Sequence, residues 1–389
     1  MNGPVIYLDN NATTRPAPEA VAAMLPYLEE RWGNPSSMHE FGGSVMADVE
    51  EARAKVAAFI GAQPEEIVFT SCGTESDNAA IFGAAQALGA GATLVTTRVE
   101  HPAVLGPLRH LRDNFGFKLV EVGVDGGGNL DLAQFADALA APGPKAAFVM
   151  WANNETGVIF DIPEIARMCR ATGTFLHTDA VQAAGKIPID VSAVPVDTLA
   201  FAGHKIHAPK GIGVLYVRRG TRLGRFMIGG HQESGRRGGT ENVPYIAALA
   251  KACDLAAEHL AASAEVGRLR DKLENGLIAT CPDASVNGDR SRRVPNTSNV
   301  SFSYIEGEAM LYHLSEYGIC ASSGSACSSD SLEASHVIRA MGVPFTAAHG
   351  SLRFSLSRYT TEAEIDRVLE VMPGIVATLR RISPFVPNA

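Results

Sequence analysis

Three stretches of the chain place chemically capable residues directly after runs that read as β-strands. Ser71-Cys72-Gly73-Thr74-Glu75-Ser76 follows such a run and opens a helical pattern. Unpaired backbone N–H groups and hydroxyls at a helix start form a cradle for an anion, although a glycine turn with an ordinary Ser or Thr cap has the same spelling. His177-Thr178-Asp179-Ala180-Val181-Gln182 puts a carboxylate and an amide at a second strand end, and Gly203-His204-Lys205 puts an amine at a third. Singly, each is more often a surface residue or a cap. Together they meet the three needs of pyridoxal phosphate: a seat for its phosphate, an acid for its pyridinium nitrogen and an amine for its aldehyde carbon. His101, in Val99-Glu100-His101-Pro102, stands at a fourth strand end, where it could lie over such a ring or be a loop histidine before a proline. His204 and His207 are spaced as a metal pair could be, but no third ligand stands at zinc-site spacing, so no intrinsic metal is expected.

The elements that must hold these residues are an alternation of strands and helices. Runs at 66–70, 93–97, 118–122, 146–150, 174–177, 198–201 and 213–217 read as strands, separated by helix-length segments such as 75–88 and 162–172. That order predicts an α/β fold with a mostly parallel seven-stranded sheet, which binds ligands at the carboxyl ends of its strands. An Ala-rich stretch from about 245 to 280 reads as one long linking helix. Strands near 299–302 and 352–356, with helices near 308–317 and from 361, predict a smaller α+β domain at the C-terminus. The small, polar run Ala321-Ser322-Ser323-Gly324-Ser325-Ala326-Cys327-Ser328-Ser329-Asp330-Ser331 reads as a loop.

Composition limits what such a fold can serve. Of 389 residues, 46% are apolar and 19% charged, ordinary values for a folded domain. A net charge of −9 argues against nucleic acid as a partner. No stretch has a signal-peptide pattern or the roughly 18 apolar residues of a membrane helix, so a cytoplasmic protein is expected. Six cysteines without CxxC spacing argue against disulfides and structural zinc. Most read as buried apolar filler, with Cys320 in a probable strand. Cys327, in the Gly-Ser loop, and Cys72, at a helix start that lowers a thiol pKa, are the two nucleophile candidates.

Several segments resemble, in order, the motifs of one family. They are Tyr7-Leu8-Asp9-Asn10-Asn11-Ala12-Thr13-Thr14, Gly33-Asn34-Pro35-Ser36-Ser37, Cys72-Gly73-Thr74-Glu75-Ser76-Asp77-Asn78, Val99-Glu100-His101-Pro102, Trp151-Ala152-Asn153-Asn154-Glu155-Thr156-Gly157, His177 to Gln182, Gly203 to Gly211, Gly238-Gly239-Thr240-Glu241-Asn242 and Ser323-Gly324-Ser325-Ala326-Cys327. They are similar to the cysteine desulfurases of the class V aminotransferase family, nearest the nitrogenase-associated NifS branch. The resemblance implies a fold-type I pyridoxal-phosphate transferase, with a large cofactor domain over 15–255. Residues 1–14 and 256–389 would form a small domain whose loop, about 321–335, carries the catalytic cysteine. It implies that Lys205 holds the cofactor, Asp179 pairs with its ring nitrogen, Gln182 and Asn154 meet the ring hydroxyl, and His101 stacks on the ring. Gly73, Thr74, Gly203 and His204 would seat the phosphate, with Thr240 arriving from the other subunit of a homodimer. Ala202 stands where many relatives have a phosphate-binding serine. Arg353, with Asn154, would bind the carboxylate of L-cysteine, and Cys327 would take its sulfur as a persulfide, pass it to an iron–sulfur scaffold protein, and at most transiently ligate a cluster. A selenocysteine lyase, a β-eliminating lyase, or a weakly active docking scaffold would use the same cofactor residues.

Overall fold

The computed structural model describes residues 5–323 and 334–384. A short N-terminal strand, β1 (Ile6–Tyr7), precedes the central sheet. That sheet comprises β2 (Ile67–Thr70), β3 (Thr93–Thr97), β4 (Lys118–Val122), β5 (Lys145–Phe148), β6 (Phe175–Asp179), β7 (Thr198–Ala202) and β8 (Gly213–Val217), in the order β2-β8-β7-β6-β5-β3-β4. Pairing is parallel from β4 through β7, while β8 runs antiparallel to both its neighbours. The antiparallel insertion leaves β2 pointing the same way as β7. Six carboxyl ends therefore share one edge. Helices cover both faces, so strands such as β3 and β7 are buried along their whole length and can be β-branched or apolar throughout.

Register brings the cradle and the lysine together. Thr70 at the end of β2 and Ala202 at the end of β7 both pair with Gly213. Only glycine fits there, because a Cβ would lie 2.6 Å from the Cys72 carbonyl carbon. The helix Gly73–Leu88 therefore starts beside the segment that carries Lys205.

A second core gathers around β9 (Ala284–Val286), β10 (Thr297–Phe302), β11 (Ile319–Cys320), β12 (Ser322–Ser323) and β13 (Ser351–Ser355). Four of these form a sheet in the order β12-β13-β10-β9, and β11 pairs with β1. Ile6 and Leu8 pack into this core with Leu273, Phe302 and Phe354. The helix Glu362–Ile382 covers it, started by a capping box between Thr361 and Glu364 and buried through Ile365, Val368, Met372, Ile375, Val376 and Leu379.

The long linking helix expected over 245–280 is broken. Helices Val243–His259 and Ser263–Thr280 meet at a 3-10 turn, Leu260–Ala262. The first buries Ile246, Leu249 and Cys253 in the large core, the second Leu269, Leu273 and Leu277 in the small one. One straight helix could not aim its apolar face at both.

Segment 231–240 is tied to the sheet by a buried fork. Arg53 donates to both oxygens of Glu233, at 2.7 and 2.9 Å, and Glu233 also accepts the Phe69 N–H at 2.9 Å. Glu233 itself sits at φ 50°, a left-handed conformation these contacts hold in place. Glu233→Ala removes the buried bidentate partner of Arg53, leaving it only the exposed Glu50 and the Ile67 carbonyl, and is expected to cost about 3 kcal/mol of stability in a denaturant titration.

Candidate active site

The helix Gly73–Leu88 begins without any side-chain cap on its first turn. Its leading N–H groups open onto a floor made by Val181 and Ala202, whose side chains lie 2.9 and 3.5 Å from where a Gly73 Cβ would stand. Ala202 therefore borders the cradle, and a methyl group there supplies no hydroxyl. Thr74 is exposed at this helix start. Asp179 is the last residue of β6, two positions further into the strand than the sequence suggested. One of its oxygens accepts the Val181 N–H at 2.8 Å. Burial pushes its carboxyl up to about 6, against the pull of that N–H and of the Lys205 ammonium. A cationic pyridinium is the partner that would restore its charge. Lys205 follows β7 in a single 3-10 turn and donates to the main-chain carbonyls of Asn11 and Ala12 at 2.5 and 2.8 Å. An uncapped helix start, a buried carboxylate and an adjacent amine are the donor set pyridoxal phosphate requires, and the residues present fit it.

The neighbouring histidines are neutral. His101 caps the helix Pro102–Phe115 by accepting the Ala103 N–H, and burial, with Lys205 and His336 nearby, pulls it down to about 4. His204, 3.2 Å from the Thr13 hydroxyl, is pulled down to about 4 by burial, Lys205 and Lys210. Both can stack or donate without carrying charge near pH 7.

The N-terminal segment, whose chemistry the sequence left unassigned, is the hub of the site. The Asn11 carbonyl that takes Lys205 also accepts from Gln182 Nε2 at 3.0 Å. Asn11 Nδ2 donates to the Asn154 carbonyl at 3.1 Å, and the same carbonyl accepts from Arg353 Nη1 at 2.9 Å. Arg353 Nη2 pairs with Asp9 at 2.9 Å, while its buried Nε has no partner among the described residues. Lys186 donates to Asn11 Oδ1 at 3.1 Å and to the Gln182 side-chain oxygen, so both ends of the Gln182 amide are engaged. Lys205, Gln182, Asn154 and Arg353 are thus brought together through one asparagine. Sequence reasoning missed it because Asn11 has no titratable group.

Behind Asp179 lies a dry acidic layer. His177 Nε2 stands 3.1 Å from Asp77 in full burial, and burial drives the histidine down to about 3 and the aspartate well up. Glu100 accepts from the Thr97 hydroxyl and the Met150 N–H, but its other oxygen is buried without a partner among the described residues, and burial pushes the group up to about 8. A carboxyl that binds its proton more tightly when folded stabilises the fold below its unfolded pKa and loses that contribution as pH rises through the folded value. Glu100→Gln should therefore flatten the fall in melting temperature between about pH 5 and pH 8 and raise it at the alkaline end, with up to about 1.4 kcal/mol at stake per pH unit.

Cys327 lies outside the described residues, but the chain on either side of its segment is anchored at the site. On one side Ser322 and Ser323 pair with Arg353 and Leu352. On the other, the Ser335 hydroxyl bonds Glu155 at 2.5 Å and His336 Nε2 bonds the Glu100 carbonyl at 2.9 Å, next to His101. Of the other cysteines, Cys169, Cys253 and Cys281 are buried filler. Cys320 lies in β11, half-buried, with its thiol pushed up by burial and Asp9. Cys72 is the N-cap of the cradle helix. Thr240 is exposed, three residues after Arg237, which pairs with Glu75 on the cradle helix. Among the described residues no helix is long and apolar enough to cross a membrane, and no cluster of metal-ligating side chains occurs.

The chain matches the family Aminotransferase class-V over residues 6–368. It is 56% identical over 382 residues to a cysteine desulfurase of Trichormus azollae, covering 98% of this chain and 95% of that one. Against the cysteine desulfurase NifS of Azotobacter vinelandii it is 53% identical over 382 residues, covering 98% and 94%. Among solved structures a NifS-like protein superposes with a TM-score of 0.91 at 37% identity, covering 97% of this chain and 100% of that one. SspA in complex with cysteine superposes at 0.80 with 32% identity, covering 91% and 99%. By its sheet, its cradle and these likenesses, the chain belongs to the class-V aminotransferase family, among the pyridoxal-phosphate-dependent cysteine desulfurases of the NifS type.

Proposed function

We propose that the protein converts L-cysteine to L-alanine and keeps the sulfur as a persulfide on Cys327, for delivery to an iron–sulfur scaffold protein that serves nitrogenase maturation. The observation that carries this reading is the convergence of the cradle, Asp179, Lys205 and Arg353 with both anchors of the Cys327 segment. Pyridoxal phosphate, when bound, supplies an electron sink for negative charge on the substrate. Gly73, Thr74, Gly203 and His204 hold its phosphate, Asp179 its ring nitrogen, and His101 its face. Asn154 is free to meet its hydroxyl through a side-chain amide that bonds no described residue, whereas Gln182 must release Asn11 to do so. Lys205, once released, removes the α-proton of L-cysteine from the station that the Asn11 and Ala12 carbonyls provide. The Cys327 thiolate then takes the substrate sulfur: a carbon–sulfur bond breaks with its electron pair left on carbon, a sulfur–sulfur bond forms, the β-carbon gains a proton and the α-carbon regains one to complete alanine.

Arg353 orients the substrate carboxylate. Arg353→Ala removes charge-assisted bonds worth about 3 kcal/mol together, so kcat/KM should fall roughly 10²-fold, mainly through KM, in steady-state assays. Thr240, exposed on a segment braced by Arg53–Glu233 and Arg237–Glu75, completes the phosphate seat of a second copy in a cytoplasmic homodimer.

Mass spectrometry after adding L-cysteine to the holoenzyme tests the reading directly. One added sulfur on Cys327 with alanine accumulating supports it. Sulfide and pyruvate without a persulfide would make the protein a β-eliminating lyase instead, and no product at all a docking scaffold.

A further inference from the structure

A second cavity lies behind Lys205, in the crevice between the two cores, with a volume of about 70 Å³. Its wall includes Lys186, Lys205, His207, His259 and Arg358, and no carboxylate. In a chain with 42 acidic and 33 basic residues, a void walled by five basic side chains and no carboxylate leaves its guanidinium without a counter-charge, even with His207 and Lys186 shifted toward their neutral forms. Arg358 makes the imbalance specific. Its Nε and Nη2 are buried with no acceptor among the described residues, and a guanidinium has donors only. The group is nonetheless held in place, its carbon 5.1 Å from the Tyr359 ring centre, with that ring in turn edge-on to His207 at 5.1 Å. The other basic groups are fixed by their own bonds: Lys186 to Asn11 and Gln182, His207 to the Arg15 carbonyl, and His259 to the Leu255 carbonyl. His207 and His259 each keep a second ring nitrogen without a bond to any described residue. Burial, with the charges of Arg358, Lys186 and His259 and against the bond to the Arg15 carbonyl, holds His207 down at about 4, so it faces the cavity as a neutral ring.

We propose that this cavity is a binding site for a small tetrahedral oxyanion, sulfate or inorganic phosphate, gripped by the Nε and Nη2 donors of Arg358 and by His259 Nε2 in the ring form that carries a proton on both nitrogens. Water would satisfy the Arg358 donors but leave the charge uncompensated, whereas an oxyanion does both. The volume admits such an ion. Since Lys186 and His259 belong to the large-core side and Asn296 and Arg358 to the small-core side, a bound ion ties the two together behind the lysine.

Equilibrium dialysis of radiolabelled sulfate against the holoenzyme tests this, because the cofactor's phosphate already fills the cradle at Gly73. One saturable sulfate per chain is expected, displaced by inorganic phosphate and weakened about tenfold or more in Arg358→Gln and in His259→Gln, which is about 1.4 kcal/mol. No saturable binding to the wild type, or binding undiminished by the substitutions, overturns the proposal. Should Arg358→Gln fail to fold, His259→Gln decides alone. The readout is binding and not turnover, so its failure leaves the desulfurase reading untouched.

Discussion

Cys327→Ala is expected to release no sulfide and form no persulfide from L-cysteine, while the holoenzyme keeps its cofactor absorbance and still changes colour when substrate is added. The expected loss is of the whole sulfur-transfer activity, because no other described thiol can take over. Cys320 is fixed in β11 with its thiol pushed up, and Cys169, Cys253 and Cys281 are buried among apolar side chains. Cys72 is the one other candidate near the cradle, but the N-cap position ties it to the start of a buried helix, and sulfur handed to a protein acceptor must travel. Cys72→Ala should therefore retain activity. Methylene-blue sulfide assays and intact-protein mass spectrometry on both variants would check the assignment. Full activity in Cys327→Ala, or its loss in Cys72→Ala with cofactor still bound, would sink it.

Lys205→Ala should lower turnover by roughly 10³-fold or more, since in the proposed reading it removes the covalent hold on the cofactor and the proton acceptor together. Lys186 is the only other amine in the Asn11 network and is a poor substitute. Its Nζ is bound to Asn11 Oδ1 and Gln182, and burial with Lys205 and Arg353 close by holds its pKa well below the usual lysine range. Borohydride reduction of the wild-type holoenzyme followed by peptide mapping should place the cofactor on Lys205. A label on Lys186 or Lys210 would overturn the assignment.

The parts of this architecture that were legible in the sequence are those dictated by local physics. Strands 93–97 and 213–217 coincide with the structure to the residue because strands covered on both faces spell themselves as nearly unbroken β-branched or apolar runs, and 118–122 coincides as a half-buried edge strand that keeps Leu119, Val120 and Val122 among its charged residues. The strand ends were legible for the same reason, and with them the cradle, Asp179 and Lys205. The helix break at Leu260–Ala262 was not, because an Ala-rich stretch carries no Gly or Pro to mark where one core gives way to the other. Nor was Asn11: its partners Asn154, Gln182, Lys205 and Thr297 lie 143 to 286 residues away, and only the assembled fold shows that one side chain and one carbonyl connect them. Asp77, Glu100 and Glu155 are buried, which no local spelling of the chain announces.

The place of the first strand has a consequence for how the enzyme comes to life on the ribosome. β1 pairs with β11, and Asn10 bonds the main chain of Ser355, a partner 345 residues downstream. At roughly 5–20 residues per second, the N-terminus waits on the order of tens of seconds before its partner is made. During that time the strip containing Ile6 and Leu8 is an unpaired apolar edge, and the carbonyls that will receive Lys205 are not in place. The central sheet can form first, but the site closes last, when β1 and Asn10 meet partners made some 310 to 345 residues later. An extension fused to the N-terminus therefore bears on the last step of maturation rather than the first.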